Sequence, residues 1–256
     1  MLWVPTLHHR GWWRTTPSAE PRVTQSNPAT PWSGRCPISS PHENAAGLQS
    51  RRSIVGNLFD LANLVTLAGL LCSLFAITFA VRGDFDAAAI GLILAFFFDG
   101  IDGPVAKRLS GRTDDDRSFG ANFDSLVDMA GAGVTLAVVL LAYGEFEFAF
   151  VPGAIGLAGA AALRLSYFNV HGLAEGTTRY VGLPTDQSII VFAAVMLLDG
   201  PLDRGPFQIA LYGTSIVLVA LMVSSLRIPK LIGIWFWTLN GFAFLIAALH
   251  AARLIA

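Results

Sequence analysis

Apolar residues in this chain come in blocks of roughly 20, the length a helix needs to cross a bilayer, with polar segments between them. That pattern excludes most soluble folds. Only 14% of the residues are charged, where a soluble domain carries about a quarter. Seven candidate spans follow, at about 58–81, 87–107, 119–142, 147–169, 185–200, 207–225 and 231–252. The fifth is short, and is either tilted or partly buried in the bundle. The expected fold is all-α: a polytopic integral membrane bundle of about six to seven transmembrane helices.

Basic residues orient the spans. With the N-terminus inside, the inner segments carry Arg51, Arg52, Lys107, Arg108, Arg112, Arg117, Arg164, Arg179, Arg227 and Lys230. The outer segments carry Arg82, Arg204 and Arg253. Ten against three selects this orientation over its inverse. It predicts a plasma-membrane protein, in a bacterium the inner membrane.

Residues 1–50 are a different material, rich in Pro, Ser, Thr, Trp and His and without apolar periodicity. They read as a disordered cytoplasmic tail, or as the product of a start site assigned too early. They lack the long apolar region of a secretory signal. Residues 51–256 form the transmembrane domain. Cys36 and Cys72 do not make a disulfide framework. A net charge of −1 gives no basis for a nucleic-acid partner, and none is expected.

Against this apolar background, four acids stand out. Asp99 and Asp102 are three apart, and Asp124 and Asp128 four apart, so each pair shares one face of its helix. The joining segment is short and polar, which makes the two helices antiparallel neighbours whose acidic faces can meet. Carboxylates inside a membrane are costly and mark function by default. Four together require cations among them. Oxygen-only ligands suit hard divalent ions, Mg²⁺ or Mn²⁺. Two such ions about 3.5–4 Å apart activate an attacking oxygen and stabilise a leaving phosphate. Gly103 and Gly120 remove side chains where a bulky phosphate ligand would approach, and Lys107 and Arg108 balance its charge. The alternative is a set of helix-end carboxylates solvated by headgroup water. Asp114, Asp115 and Asp116 read instead as a solvated loop.

The run Asp99-Gly-Ile-Asp102-Gly103-Pro-Val-Ala106-Lys107, continued by Gly120-Ala-Asn-Phe-Asp124-Ser-Leu-Val-Asp128, resembles the signature of the CDP-alcohol phosphotransferases. Ala62-Asn63-Leu-Val-Thr66 resembles that family's Pro-Asn-x-x-Thr. The resemblance runs from about residue 55 to the C-terminus. Lys107 stands where the family has Arg, and twelve residues separate it from Gly120 in place of eight or nine. Lys cannot make Arg's two-pronged phosphate contact. The resemblance implies that Asp99, Asp102 and Asp124 bind two metals. It implies that Asp128 binds one metal and acts as general base. Gly103 and Gly120 would make room for the CDP moiety, with Asn63 and Thr66 near the nucleotide. It also implies a homodimer.

Later segments resemble the phosphatidylserine synthase branch. These are Ala161-Ala-Leu-Arg164-Leu-Ser-Tyr167-Phe168-Asn169, Gly182-Leu-Pro184, and Met222-Val-Ser-Ser-Leu-Arg227. The implied substrates are CDP-diacylglycerol and L-serine, with CMP released. Arg164 could clamp the serine carboxylate with Asn169 beside it, or could be a plain headgroup anchor. Other acceptors (glycerol phosphate, an inositol phosphate, choline) are the alternatives within the family. A cation transporter is the rival class, disfavoured because the acids sit at helix ends and no repeat is evident.

Overall fold

The computed structural model describes residues 53–173, 179–230 and 233–256. The expected tail over 1–50, and Arg51 and Arg52, lie outside the described residues.

A short helix, α1 (Ile54–Leu58), leads into α2 (Leu61–Val81). Ser53 caps the first, its hydroxyl accepting from the Gly56 amide, and Asp60 caps the second, accepting from the Ala62 amide. Next comes α3 (Phe85–Arg108), which contains Pro104. Then α4 (Asp114–Asp128), a π-helical segment (Met129–Thr135) and α5 (Leu136–Tyr143) form one continuous rod. A single 3₁₀ turn (Phe148–Phe150) opens α6 (Val151–His171). The chain continues through β1 (Arg179–Val181), α7 (Thr185–Met196), α8 (Arg204–Met222), β2 (Arg227–Pro229) and α9 (Ile234–Ile255).

Six of these helical segments are long and apolar enough to cross a membrane among the described residues: 61–81, 85–108, 114–143, 148–171, 204–222 and 234–255. The protein is an integral membrane helical bundle. The expected fifth span is the twelve-residue α7. At about 1.5 Å per residue it falls well short of the roughly 30 Å hydrocarbon core. Its burial explains how it survives: Ser188, Ile189, Ile190, Phe192, Ala193 and Met196 are all enclosed by neighbours.

Two sequence expectations change. Asp114–Asp116 is not a solvated loop but the first turn of α4. Thr113 and Asp116 close a reciprocal capping box, and three acids at a helix N-terminus complement its dipole. Asp116 is buried, while Asp114 stays in solvent and pairs with Arg117 at 3.2 Å. The connection from α3 is therefore only residues 109–113. The all-α bundle also carries a small antiparallel pair of strands distant in sequence, with Tyr180 opposite Ile228 and Val181 opposite Arg227. Gly182, at φ +76°, turns the chain out of it. A Cβ there would lie 2.3 Å from the Met222 carbonyl, so only glycine allows the Gly-Leu-Pro turn to seat on the end of α8.

The core is built from Leu92, Phe96, Leu140, Leu157, Phe192 and Phe207, all nearly inaccessible. Small residues set the closest approach: a Cβ on Gly91 would lie 3.0 Å from the Ala76 amide, so α2 and α3 pack backbone to backbone. Phe75, Ile155, Ile209, Trp235 and Leu245 point outward, as lipid-facing residues do. At the end of the bundle away from the signature acids, charges are paired. His250 Nδ1 lies 2.6 Å from Asp86 Oδ1, and Arg253 donates to the Asp199 carbonyl at 2.9 Å. Tyr143 donates to the Asp199 carboxylate at 2.6 Å, and Arg204 pairs with Glu145.

Candidate active site

Asp99 and Asp102 lie on α3 just before Gly103 and Pro104, which the helix runs through. Proline supplies no amide to the ladder, so the Gly100 carbonyl loses its helical partner at that point. Asp124 and Asp128 lie on the last turns of α4, just before the π-helical segment. Gly131 and Gly133 hold that segment tightly: a Cβ on Gly131 would lie 3.2 Å from Ser73 Oγ, and one on Gly133 would lie 3.1 Å from Ala161. Local π-helical winding is uncommon and concentrates at functional sites.

These two helices bring Asp99, Asp124 and Asp128 together, with one carboxylate oxygen from each within 4.8 Å of the others. Asp102 faces Asp124 and is buried. Its Oδ2 accepts from Thr66 Oγ1 at 2.7 Å. Thr66 thus positions a carboxylate, where the resemblance had put it near the nucleotide. Asn63 is likewise buried, its amide donating to the Asn57 carbonyl at 2.7 Å.

The donor set fits a hard divalent cation. All ligands are carboxylate oxygens, and Asp124 Oδ1 is buried without a hydrogen-bond partner among the described residues. An unpaired buried carboxylate oxygen is costly, and a cation is the group that satisfies it.

Above the acids opens a cleft of about 600 Å³. Asp99, Asp102, Asp124 and Asp128 line its floor, and Gly103, Pro104 and Lys107 one wall. No atom lies within 4 Å of a Cβ built on Gly103, so that wall is open to a ligand. Arg108 ends α3 exposed and outside the cleft. Gly120 faces Arg112 instead: a Cβ there would lie 2.8 Å from the guanidinium and 3.1 Å from Asn63 Oδ1. Arg112 in turn pairs with Asp60 at 2.7 Å, both side chains nearly buried.

The far wall comes from α6, the paired strands and α7. Arg164 is 7% exposed, its Nη1 3.4 Å from Thr185 Oγ1 and its guanidinium 5.3 Å and 5.5 Å from the Phe168 and Tyr180 rings. Burial, and then the charge of Asp186, hold the Tyr180 phenol above its ordinary pKa, so it stays protonated and able to donate. Asn169 is exposed and does not line the cleft, and exchanges hydrogen bonds with Ser125 at 3.1–3.2 Å. Trp237 reaches the cleft rim while remaining largely exposed.

Asp186 was missed from sequence. It lines the cleft with Asp99 and Asp128, its charge acting on both. The signal was an acid at the start of an apolar helix, directly after the Gly182-Leu-Pro184 turn. Tyr180 was missed because strand pairing, not spacing, carries it to the site.

Residues 59–226 match the CDP-alcohol phosphatidyltransferase family. The chain belongs to that family. It is accordingly a membrane-embedded transferase, and α9 lies beyond the matched region. Among its relatives is a CDP-diacylglycerol–serine O-phosphatidyltransferase of Helicobacter pylori, 28% identical over 184 residues, 69% of this chain and 74% of that one. The archaetidylserine synthase of Methanothermobacter thermautotrophicus is 31% identical over 181 residues, 70% of this chain and 73% of that one. A CDP-diacylglycerol–serine O-phosphatidyltransferase of Mycobacterium tuberculosis is 36% identical over 92 residues, 36% of this chain and 30% of that one.

Proposed function

We propose that this protein is a CDP-diacylglycerol–serine O-phosphatidyltransferase: it transfers the phosphatidyl group of CDP-diacylglycerol to the hydroxyl of L-serine and releases CMP. The observation that carries the reading is Arg164, a buried cation in the wall of a cleft whose floor is the signature acids. The serine-named relatives support it.

Asp99, Asp102, Asp124 and Asp128 would hold two divalent cations, Mg²⁺ or Mn²⁺. When bound, these cations supply charge neutralisation for the diphosphate and lower the energy of the departing CMP phosphate. The protein's own groups do the rest. Asp128 takes the proton from the serine hydroxyl as that oxygen attacks the β-phosphorus. Thr66 keeps Asp102 turned toward Asp124. Gly103 leaves space for the nucleotide diphosphate, and Lys107 offers a point charge at the rim. Arg164 holds the serine carboxylate, while Phe168 and Tyr180 fix the plane of its guanidinium. Asn63 and Gly120, expected at the CDP-lipid, act through the helix ends they pack against, and Asn169, expected at the acceptor, through its bond to Ser125.

The excess of basic residues at the cleft end supports an active site on the cytoplasmic face of the plasma membrane. The assembly we propose is a homodimer, which crosslinking in native membranes tests.

The deciding experiment is CMP release by the purified protein with CDP-diacylglycerol and Mn²⁺ or Mg²⁺. Serine, glycerol 3-phosphate, inositol phosphate and choline are offered in turn. Release with serine alone is the expected result, abolished by a chelator and restored by the metal. Release with another acceptor alone overturns the serine assignment and keeps the family chemistry.

A further inference from the structure

The far wall of the cleft carries charges of both signs. Arg164 and Lys230 are cations, and the carboxyl group of Asp186 lines the same cleft. Asp186 stands in the first turn of α7, where its Oδ1 accepts from the Gln187 amide at 2.8 Å, which fixes its carboxylate. Lys230 follows β2, and the pairing of β2 with β1 sets its Nζ 5.8 Å from the Tyr180 ring. Arg164 has a second property: its Nε is buried and has no hydrogen-bond partner among the described residues. A buried guanidinium with a donor left over, on the wall of an open cleft, is built to receive an acceptor oxygen from a ligand. Asp186 does not belong with the three carboxylates whose oxygens converge within 4.8 Å. It lines the cleft beside Asp99 and Asp128, together with Arg164 and Lys230.

We propose that Asp186 binds the ammonium group of an amino-acid acceptor whose carboxylate is held by Arg164 and Lys230, and that it thereby determines which alcohol the enzyme accepts. This rests on the serine reading above. The two opposite charges match the two ends of a zwitterion, and leave its hydroxymethyl arm to reach Asp128, which Asp186 also faces. A neutral or anionic alcohol lacks the ammonium and leaves the half-buried Asp186 carboxylate without that partner, a mismatch that sites use to reject substrates. Ethanolamine lacks the carboxylate and leaves Arg164 unpaired.

The test uses the purified full-length protein with CDP-diacylglycerol and Mn²⁺. CMP release is measured for serine, ethanolamine and 3-hydroxypropionate, taken as substrates or as competitors of serine. Asp186→Asn should lower kcat/KM for serine by about tenfold to a hundredfold, the range set by one charged contact to substrate. The response to 3-hydroxypropionate, the CDP-diacylglycerol KM and the half-saturating Mn²⁺ concentration should not change. Asp186→Glu should recover part of the serine preference, and serves in place of Asp186→Asn if that variant does not accumulate. If the wild type uses serine and Asp186→Asn keeps the same serine-to-3-hydroxypropionate ratio, the assignment of Asp186 alone is overturned. A shifted Mn²⁺ midpoint overturns it in favour of a metal-ligand role. A wild type that uses glycerol 3-phosphate and not serine overturns the serine reading and this proposal with it.

Discussion

Asp128 combines two demands: proximity to the convergent carboxylates and access to the cleft. Asp128→Asn keeps the shape and removes the proton acceptor, so turnover should fall by about 10²–10⁴-fold with little change in thermal stability. CMP release and a melting curve on the same preparation check this. Near-normal turnover would remove Asp128 as the base. Gly103 makes a separate prediction. Its Cβ position is open, so Gly103→Ala should leave stability unchanged or slightly higher, because alanine is the better helix former. The KM for CDP-diacylglycerol should rise while that for serine holds. The signature acids and Gly103 were legible because helical spacing is a local property, readable from separations of three and four. The partner of Thr66 was not, since its bond to Asp102 spans 36 positions of sequence.

Among the elements, the α3–α4 connection departs most from what its sequence suggested. The sequence reading put an acidic run, Asp114–Asp116, in a solvated loop. The capping box folds that run into α4 and leaves five residues, 109–113, to turn the chain. Arg112 anchors this short turn to Asp60 at the start of α2, with side chains only 10% and 4% exposed. Removing one partner of a buried pair leaves the other uncompensated. Arg112→Met should therefore cost about 3–5 kcal/mol, and adding Asp60→Asn, which retains the α2 cap, should restore most of it. Thermal melts in detergent measure both. An Arg112→Met protein as stable as wild type would mean that solvent already screens the pair. Helix α7 shows a different limit of sequence reading. Its apolar run looked like a short span, and burial, which depends on neighbours, decides that it packs inside the bundle.

At the scale of the whole molecule, the bundle is fastened at the end away from the cleft. His250 joins α9 to Asp86 of α3, with its Nε2 3.0 Å from the Ala193 carbonyl of α7. Arg253 ties the same helix to the Leu197 and Asp199 carbonyls. His250→Ala should destabilise the fold by about 2 kcal/mol or more, through lost polar contacts inside a low-dielectric bundle. The serine and CDP-diacylglycerol KM values should not move, because the clasp and the cleft lie at opposite ends. A variant with normal stability would show that the His250 contacts do not hold α9 in place. The amino-acid sequence by itself determined the membrane bundle, the orientation preference and the paired acids. Hydropathy sums along the chain, and helical faces repeat every few residues. Tertiary structure alone decided that Asp102 is tied to Thr66, that Gly120 faces Arg112, and that Asp186, Tyr180 and Lys230 join Arg164 around one cleft. Those meetings depend on how distant helices pack and distant strands pair, and no periodicity within a single element encodes that.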